Sequence, residues 1–258
     1  MRSIRLLVTL LALSCSVSWA QKAFIYNSLQ KNGFVSVSIG SSLPVGDFGR
    51  LSVYPETTNK SGLAVAGRVW SVSAGYRLAG PLGLMARYNA VQNGVQPDAL
   101  ANLYPQLAVE TVRAVTPGGH EGQWQSRSLL LGPFLTVPLG RFTLDIRALG
   151  GQAWAICPET CVLGTVNAVE TVIRSDNQTS TAIIGGLGLS LRYRLTPIFA
   201  LHTSADYNSA SFRFNDIPLE TRTGDVIQTS SYTTQRTLRM VNLSAGLTLQ
   251  FRSKNQVF

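Results

Sequence analysis

The segment Asn242–Phe251, N-L-S-A-G-L-T-L-Q-F, alternates apolar and polar residues without a slip. Leu243, Ala245, Leu247, Leu249 and Phe251 fall on one face, and Asn242, Ser244, Gly246, Thr248 and Gln250 on the other. That period of two belongs to a β-strand with one greasy and one polar face; an amphipathic helix would space its apolar residues by three and four. A strand of a soluble sandwich satisfies the same pattern. The rest of the chain separates the two readings, because about seven more segments repeat it.

Val35, Val37 and Ile39 alternate with Ser36, Ser38 and Gly40. Trp70, Val72, Ala74 and Tyr76 share a face, and Leu84, Ala86, Tyr88 and Ala90 face away from Met85, Arg87 and Asn89. Further on come Leu129, Leu131, Leu135, Val137 and Leu139, then Phe142, Leu144, Ile146 and Ala148 against Thr143, Asp145 and Arg147. Leu189, Leu191, Tyr193 and Leu195 oppose Ser190, Arg192 and Arg194, and Phe199, Leu201, Thr203, Ala205 and Tyr207 complete the set. Tight turns at Ala79–Gly83, Pro138–Arg141 and Thr196–Pro197 alternate with long excursions. Short turns on one side and long loops on the other predict an all-β, eight-stranded antiparallel up-and-down transmembrane β-barrel, with both termini on the short-turn side. Such a ring leaves no edge N–H or C=O unpaired in lipid. Aromatics support it independently: Tyr76, Phe142, Tyr193, Phe199 and Phe251 share the apolar parity and sit close to a short turn or the C-terminus, where strands cross an interface.

Ser244-x-Gly246-x-x-Leu249-x-Phe251 resembles the terminal-strand signal of bacterial outer-membrane barrels, polar-x-Gly-x-x-aromatic-x-aromatic. Leu249 stands where the first aromatic is expected, and residues 252–258 trail behind. The phrase G-S-S-L-P-V-G-D-F-G from Gly40 resembles a first-strand exit of Bacteroidota barrels. Together with the strand pattern, residues 33–252 resemble the eight-stranded OmpA/OmpX-like outer-membrane proteins, of the Bacteroidota-type β-barrel domain. The resemblance implies location in the outer membrane of a Gram-negative bacterium. It also implies contact with outer-membrane lipid and lipopolysaccharide, and insertion by the barrel assembly machinery.

The N-terminus reads as targeting. Arg2 and Arg5 precede the apolar run Leu6–Leu13, and Ser18-Trp19-Ala20 forms a small-x-small cleavage site. Residues 1–20 are thus expected as a signal peptide, 21–32 as a periplasmic lead-in, 33–252 as the barrel with four long extracellular loops, and 253–258 as a tail. A rival reading, a lipoprotein anchored at Cys15, wants an aliphatic residue where Ala12 stands. Charged residues make up only 14% of the chain, well under the roughly one quarter of a soluble domain. The formal charge of +9 falls to +7 without Arg2 and Arg5. Its arginines are spread along the strands, not clustered, so no nucleic-acid partner is expected.

Strand parity sends Arg77, Arg87, Arg147, Arg192, Arg194 and Arg252 into the lumen, with Asp145, Asp206 and His202 as candidate partners. An eight-stranded barrel holds little besides its own side chains. A salt-bridged, plugged interior is therefore expected, with hydroxyls of the first and fourth strands joining in. His202, Ser204 and Asp206 share one face, as a base, nucleophile and orienting acid would, and His-x-Ser faintly resembles lipid A deacylases. The lumen parity of all three gives them a structural reason to be polar, so no enzyme, catalytic residue, metal or cofactor is expected. Cys157 and Cys161 in C-P-E-T-C read as a local disulfide in an oxidising compartment. The pentapeptide Ala-Val-Glu-Thr-Val occurs at 108–112 and 168–172, as strand extensions above the membrane or as a coincidence of a common pattern. From Phe212 to Leu238 a protruding hairpin is expected, turning at Thr223-Gly224-Asp225. Function is then expected in the loops: a structural, adhesive or surface-interaction role toward an extracellular protein or ligand. A narrow passive channel is the alternative, and a lipid hydrolase using His202 and Ser204 the third reading.

Overall fold

The computed structural model describes residues 31–50, 61–101, 108–116, 120–166 and 168–251. The expected signal peptide, most of the lead-in, Arg252 and the C-terminal tail lie outside them. The strands are β1 (Gly33–Pro44), β2 (Ala64–Ala79), β3 (Leu82–Val95), β4 (Ala108–Thr116), β5 (His120–Glu121) and β6 (Gln123–Leu139). They continue with β7 (Phe142–Cys157), β8 (Glu159–Val166), β9 (Val169–Ser175), β10 (Gln178–Arg194), β11 (Phe199–Thr223) and β12 (Val226–Phe251).

Eight of them close a ring in the order β1-β2-β3-β6-β7-β10-β11-β12, every neighbour antiparallel. The ring shuts where β12 meets β1, in register from Gly33 opposite Phe251 to Pro44 opposite Met240. At this seam glycine is required by proximity. A Cβ on Gly246 would run into the Val37 carbonyl oxygen, and one on Gly40 into that of Leu243. Both glycines let the strands approach and bend as a small barrel demands.

Parity sorts the side chains as the sequence predicts. Val37, Ile39, Leu131, Leu187 and Leu247 point outward and are exposed, with Ile39 at 71%. A soluble protein does not leave a continuous apolar belt in water. Tyr76, Phe142, Phe199 and Phe251 ring its periplasmic end, and Trp70, Trp154 and Tyr207 its outer end. The belt between the two rings meets lipid.

Crossing a bilayer takes about 9–11 strand residues. β11 has 25 and β12 has 26, and they pair from Phe199 opposite Leu249 up to Thr223 opposite Val226, with one bulge between Phe214 and Ile217. The hairpin therefore stands well above the outer leaflet, turning at Gly224, whose φ of 56° suits glycine. Its upper part carries a second sheet that the long loops supply, ordered β12-β11-β9-β8-β4-β5. Both copies of the pentapeptide lie in it, on either side of β8: Leu163 is opposite Thr111 of β4 and Val172 of β9. A second apolar cluster of Leu63, Ala99, Leu100, Val162 and Ile173 packs beneath, so this region has a core of its own.

The expected disulfide is absent. Cys157 ends β7, opposite Gln178, whereas Cys161 lies in β8, opposite Arg174 and Arg113. Pro158 is the step at which the chain leaves the ring for the outer sheet, so the two cysteines belong to consecutive strands with different partners. Burial pushes the Cys157 thiol up to about 12, with Arg236 opposing the shift. Both cysteines should alkylate after unfolding without reductant. In the native protein at pH 8, Cys157 should react roughly a thousandfold more slowly than an ordinary thiol, following its thiolate fraction. A mass of one intramolecular disulfide under non-reducing conditions would contradict the structure.

Candidate functional site

In the lumen, buried charged side chains converge from several strands. Arg87 of β3, Arg147 of β7 and Asp206 of β11 meet near its middle: Arg147 lies 2.6 Å and Arg87 3.0 Å from the Asp206 carboxylate. Arg87 also donates to Asn89 and to the Ser71 hydroxyl, at 2.8 and 2.9 Å. One step toward the periplasm, Arg192 of β10 pairs with Asp145 of β7 at 2.6 Å, and Asp145 accepts from Thr136 and Ser190. Ser190 also accepts from Arg147 at 3.0 Å, which joins the two clusters. Adjacent strands present these residues because in antiparallel register Arg147 faces Gly188 and Asp145 faces Ser190. The small partners leave room for the long ones.

Apolar layers close the network from both ends. On the periplasmic side Phe34 and Phe134 stack edge to face at 5.6 Å, and the Arg192 guanidinium lies 4.5 Å over the Phe34 ring. On the extracellular side Phe48, Trp124, Phe212 and Phe214 form an aromatic plug, with Trp124 donating to the Gly62 carbonyl at 2.8 Å. Sequence reading missed this plug. Phe212 and Phe214 share the parity of His202 and Asp206, so carrying the alternation further up the same strand would have pointed them inward. Little space remains. Around Arg87, Arg147 and Asp206 no space admits a water-sized sphere, and the periplasmic mouth by Arg77 and Gln250 holds about 20 Å³. One water needs about 10–15 Å³.

Parity gives several expected residues their face but not their partners. Arg194 lies at the periplasmic rim and donates to the Gly140 carbonyl, outside the charged network. Arg77 is buried at the same mouth and donates to the Lys31 carbonyl. The hydroxyls of β1 bond serines instead of arginines: Ser36 to Ser73 and Ser38 to Ser71, both at 2.7 Å.

His202, Ser204 and Asp206 all face the lumen but do not act on one another. His202 Nδ1 shares a hydrogen bond with Thr248 at 2.9 Å, Ser204 with Ser244 at 2.8 Å, and Asp206 is held by arginines. Each is also sealed from lipid and from the extracellular side. Among the described residues no group of His, Cys, Asp and Glu could hold a metal ion. Of the terminal-strand motif, Ser244 and Gly246 have work inside the fold, in the serine ladder and at the seam, while Leu249 and Phe251 face outward.

Asp206 balances two buried guanidinia, so removing its charge strands both. Asp206→Asn should destabilise the refolded barrel by about 3–5 kcal/mol in denaturant titration, the cost of breaking a buried pair. A loss under ~1 kcal/mol, the value of an exposed pair, would show the lumen to be wet.

No protein-family model matches the chain, and no curated protein matches its sequence. Solved structures with a similar strand arrangement include Neisserial surface protein A, at 14% identity and a TM-score of 0.42, covering 85% of this chain and 97% of that one. The outer membrane protease OmpT from Escherichia coli is 9% identical with a TM-score of 0.43, over 86% and 98% of the two chains. The attachment invasion locus protein Ail of Yersinia pestis is 13% identical with a TM-score of 0.39, over 84% and 99%. By its own closed ring, its apolar belt and its two aromatic girdles, this chain is an eight-stranded outer-membrane β-barrel.

Proposed function

We propose that this barrel is a non-conducting surface-interaction protein whose extracellular sheet binds other polypeptides by strand addition. The observation that carries the reading is the outer edge of β12. From Val226 to Gln235 no strand among the described residues pairs with that edge, while the opposite edge is zipped to β11. The segment V-I-Q-T-S-S-Y-T-T-Q holds no proline, lysine or acid, the usual guards of an exposed edge, and its residues are exposed or half-buried. Water satisfies these backbone groups in the free protein. An extended segment of a partner exchanges that water for a ladder of hydrogen bonds, with side-chain pockets adding selectivity.

The filled lumen weighs against the passive-channel reading, since two charged clusters and two apolar layers stand in the path. The hydrolase reading lacks a contact between its nucleophile and its base. Recognition of the last strand by the assembly machinery stays part of the proposal, carried by Leu249 and Phe251 on the lipid-facing side.

Two measurements test the proposal. Peptides panned from a random displayed library against the nanodisc-embedded protein should be β-prone and alternating. Their binding should fall at least tenfold in Ser231→Lys/Thr233→Lys, whose charges guard the edge; peptides that bind both proteins equally would refute strand addition. In planar bilayers the refolded barrel should pass no steady current, and Arg87→Ala/Arg147→Ala should open a leak once Phe34→Ala and Phe214→Ala also breach the two apolar layers. Robust anion-selective current from the unmodified protein would favour the channel instead.

A further inference from the structure

Among the ring strands Arg68, Arg127, Arg213 and Arg239 point away from the lumen, and the first two share one face of the wall. Arg68 of β2 and Arg127 of β6 have outward parity, are exposed, and form no ion pair among the described residues. Each lies about ten residues from its periplasmic turn, which is the outer end of a membrane-crossing strand. Both are therefore at headgroup level of the outer leaflet.

The register brings them together with a specific set of neighbours. Trp70, Ala90, Arg127 and Trp154 form one outward row across β2, β3, β6 and β7. The next row up begins Arg68, Gln92, Gln125. Tyr88 lies one row below, its ring 5.3 Å from that of Trp70. From strand spacing and rise, the Cα atoms of Arg68 and Arg127 are ~12 Å apart, near enough for two extended side chains to meet on one anion. Below them the outward residues Ala74, Ala86 and Gly150 are small, flanked by Val72, Leu129 and Leu131. The wall is thus a shallow apolar bed topped by two guanidinia, two glutamines and three aromatic rings, with no acidic side chain in either row.

We propose that this patch is a binding site for a phosphorylated lipid of the outer leaflet. The acyl chains lie on the bed of small residues, Trp70 and Trp154 flank the headgroup at the interface, and Arg68 and Arg127 take its phosphate. Guanidinium suits this role because it bonds phosphate oxygens through paired donors and is weakly hydrated. An outward arginine at bilayer depth is costly in an apolar setting and is tolerated at the interface, where an anionic headgroup supplies the missing charge. Gln92 and Gln125 add neutral donors or acceptors for a sugar-bearing headgroup. The site lies on the opposite side of the wall from the charged lumen and is independent of strand addition at β12.

The test uses the refolded barrel in phosphatidylcholine nanodiscs doped with diphosphoryl lipid A or its dephosphorylated form, with retained glycolipid counted by native mass spectrometry. The unmodified protein should keep the diphosphoryl form selectively. Arg68→Gln/Arg127→Gln should keep roughly 10-fold to 30-fold less, as expected for two arginine–phosphate contacts. Arg213→Gln, exposed higher on β11, should change nothing. Heat-modifiable gel migration reports folding, and Arg68→Lys/Arg127→Lys, which keeps the charge, should restore part of the retention. Equal retention by the glutamine variant and the unmodified protein would overturn the site. So would equal retention of both lipid forms, which would mean acyl contact only, or full displacement by millimolar inorganic phosphate, which would mean a free-anion site. A lipid-free dimer through this face would also overturn it.

Discussion

The need to pair every backbone N–H and C=O inside a bilayer governs this molecule. Water is absent there, and each unpaired group costs several kcal/mol. A sheet can meet that demand only by closing, so the seam between β1 and β12 is as necessary as any packing contact. Closure fixes register, and register fixes everything on the two faces. A slip of one residue would send Arg147 and Asp206 into lipid and Ile146 into the lumen.

A closed ring of eight strands leaves an interior too narrow for bulk water but too polar to be an oily core. The chain resolves this with layers. The paired charges lie in a middle zone where Asp145 and Asp206 meet three guanidinia and several hydroxyls, and aromatic rings cover it above and below. Serine ladders between β1, β2, β11 and β12 line the remaining wall, and Arg87 reaches them at Ser71. The network balances only in part: two carboxylates face three arginines, which gives Arg192's position over the Phe34 ring a role in spreading its charge.

The ring was legible in the sequence because its two signals are local and redundant. Alternation places each side chain, and tight turns such as Pro138-Leu139-Gly140-Arg141 mark where strands reverse. The pairing of Arg87 with Asp206 was not legible beyond parity, since it depends on shear between strands far apart in the chain. The outer sheet was legible least. β8 and β9 sit in what reads as a loop; the repeated Ala-Val-Glu-Thr-Val hints at strands there, but no local pattern announces that β9 pairs with β11 and β8 with β4. The cysteine expectation failed for the same reason: spacing in C-P-E-T-C suggests a closed local loop, whereas Pro158 hands the chain from one sheet to another. Arg194 illustrates a smaller limit, for parity gives the face of the wall but not the height at which a long side chain leaves the mouth.

Above the membrane the pairing rule relaxes, and the structure changes character there. Water can satisfy an open edge, so the sheet need not close, and the same two strands that complete the ring continue as a free-standing hairpin. The hairpin is stiffened from one side only, by β9 at Leu219–Thr223 and by the apolar cluster beneath β8. Among the described residues no strand pairs with its other edge. That asymmetry is not needed for the barrel, whose closure is complete lower down, and an unguarded neutral edge is a liability that proteins ordinarily suppress. A feature that membrane insertion does not require, and that solubility would remove, is what the proposed strand addition would use.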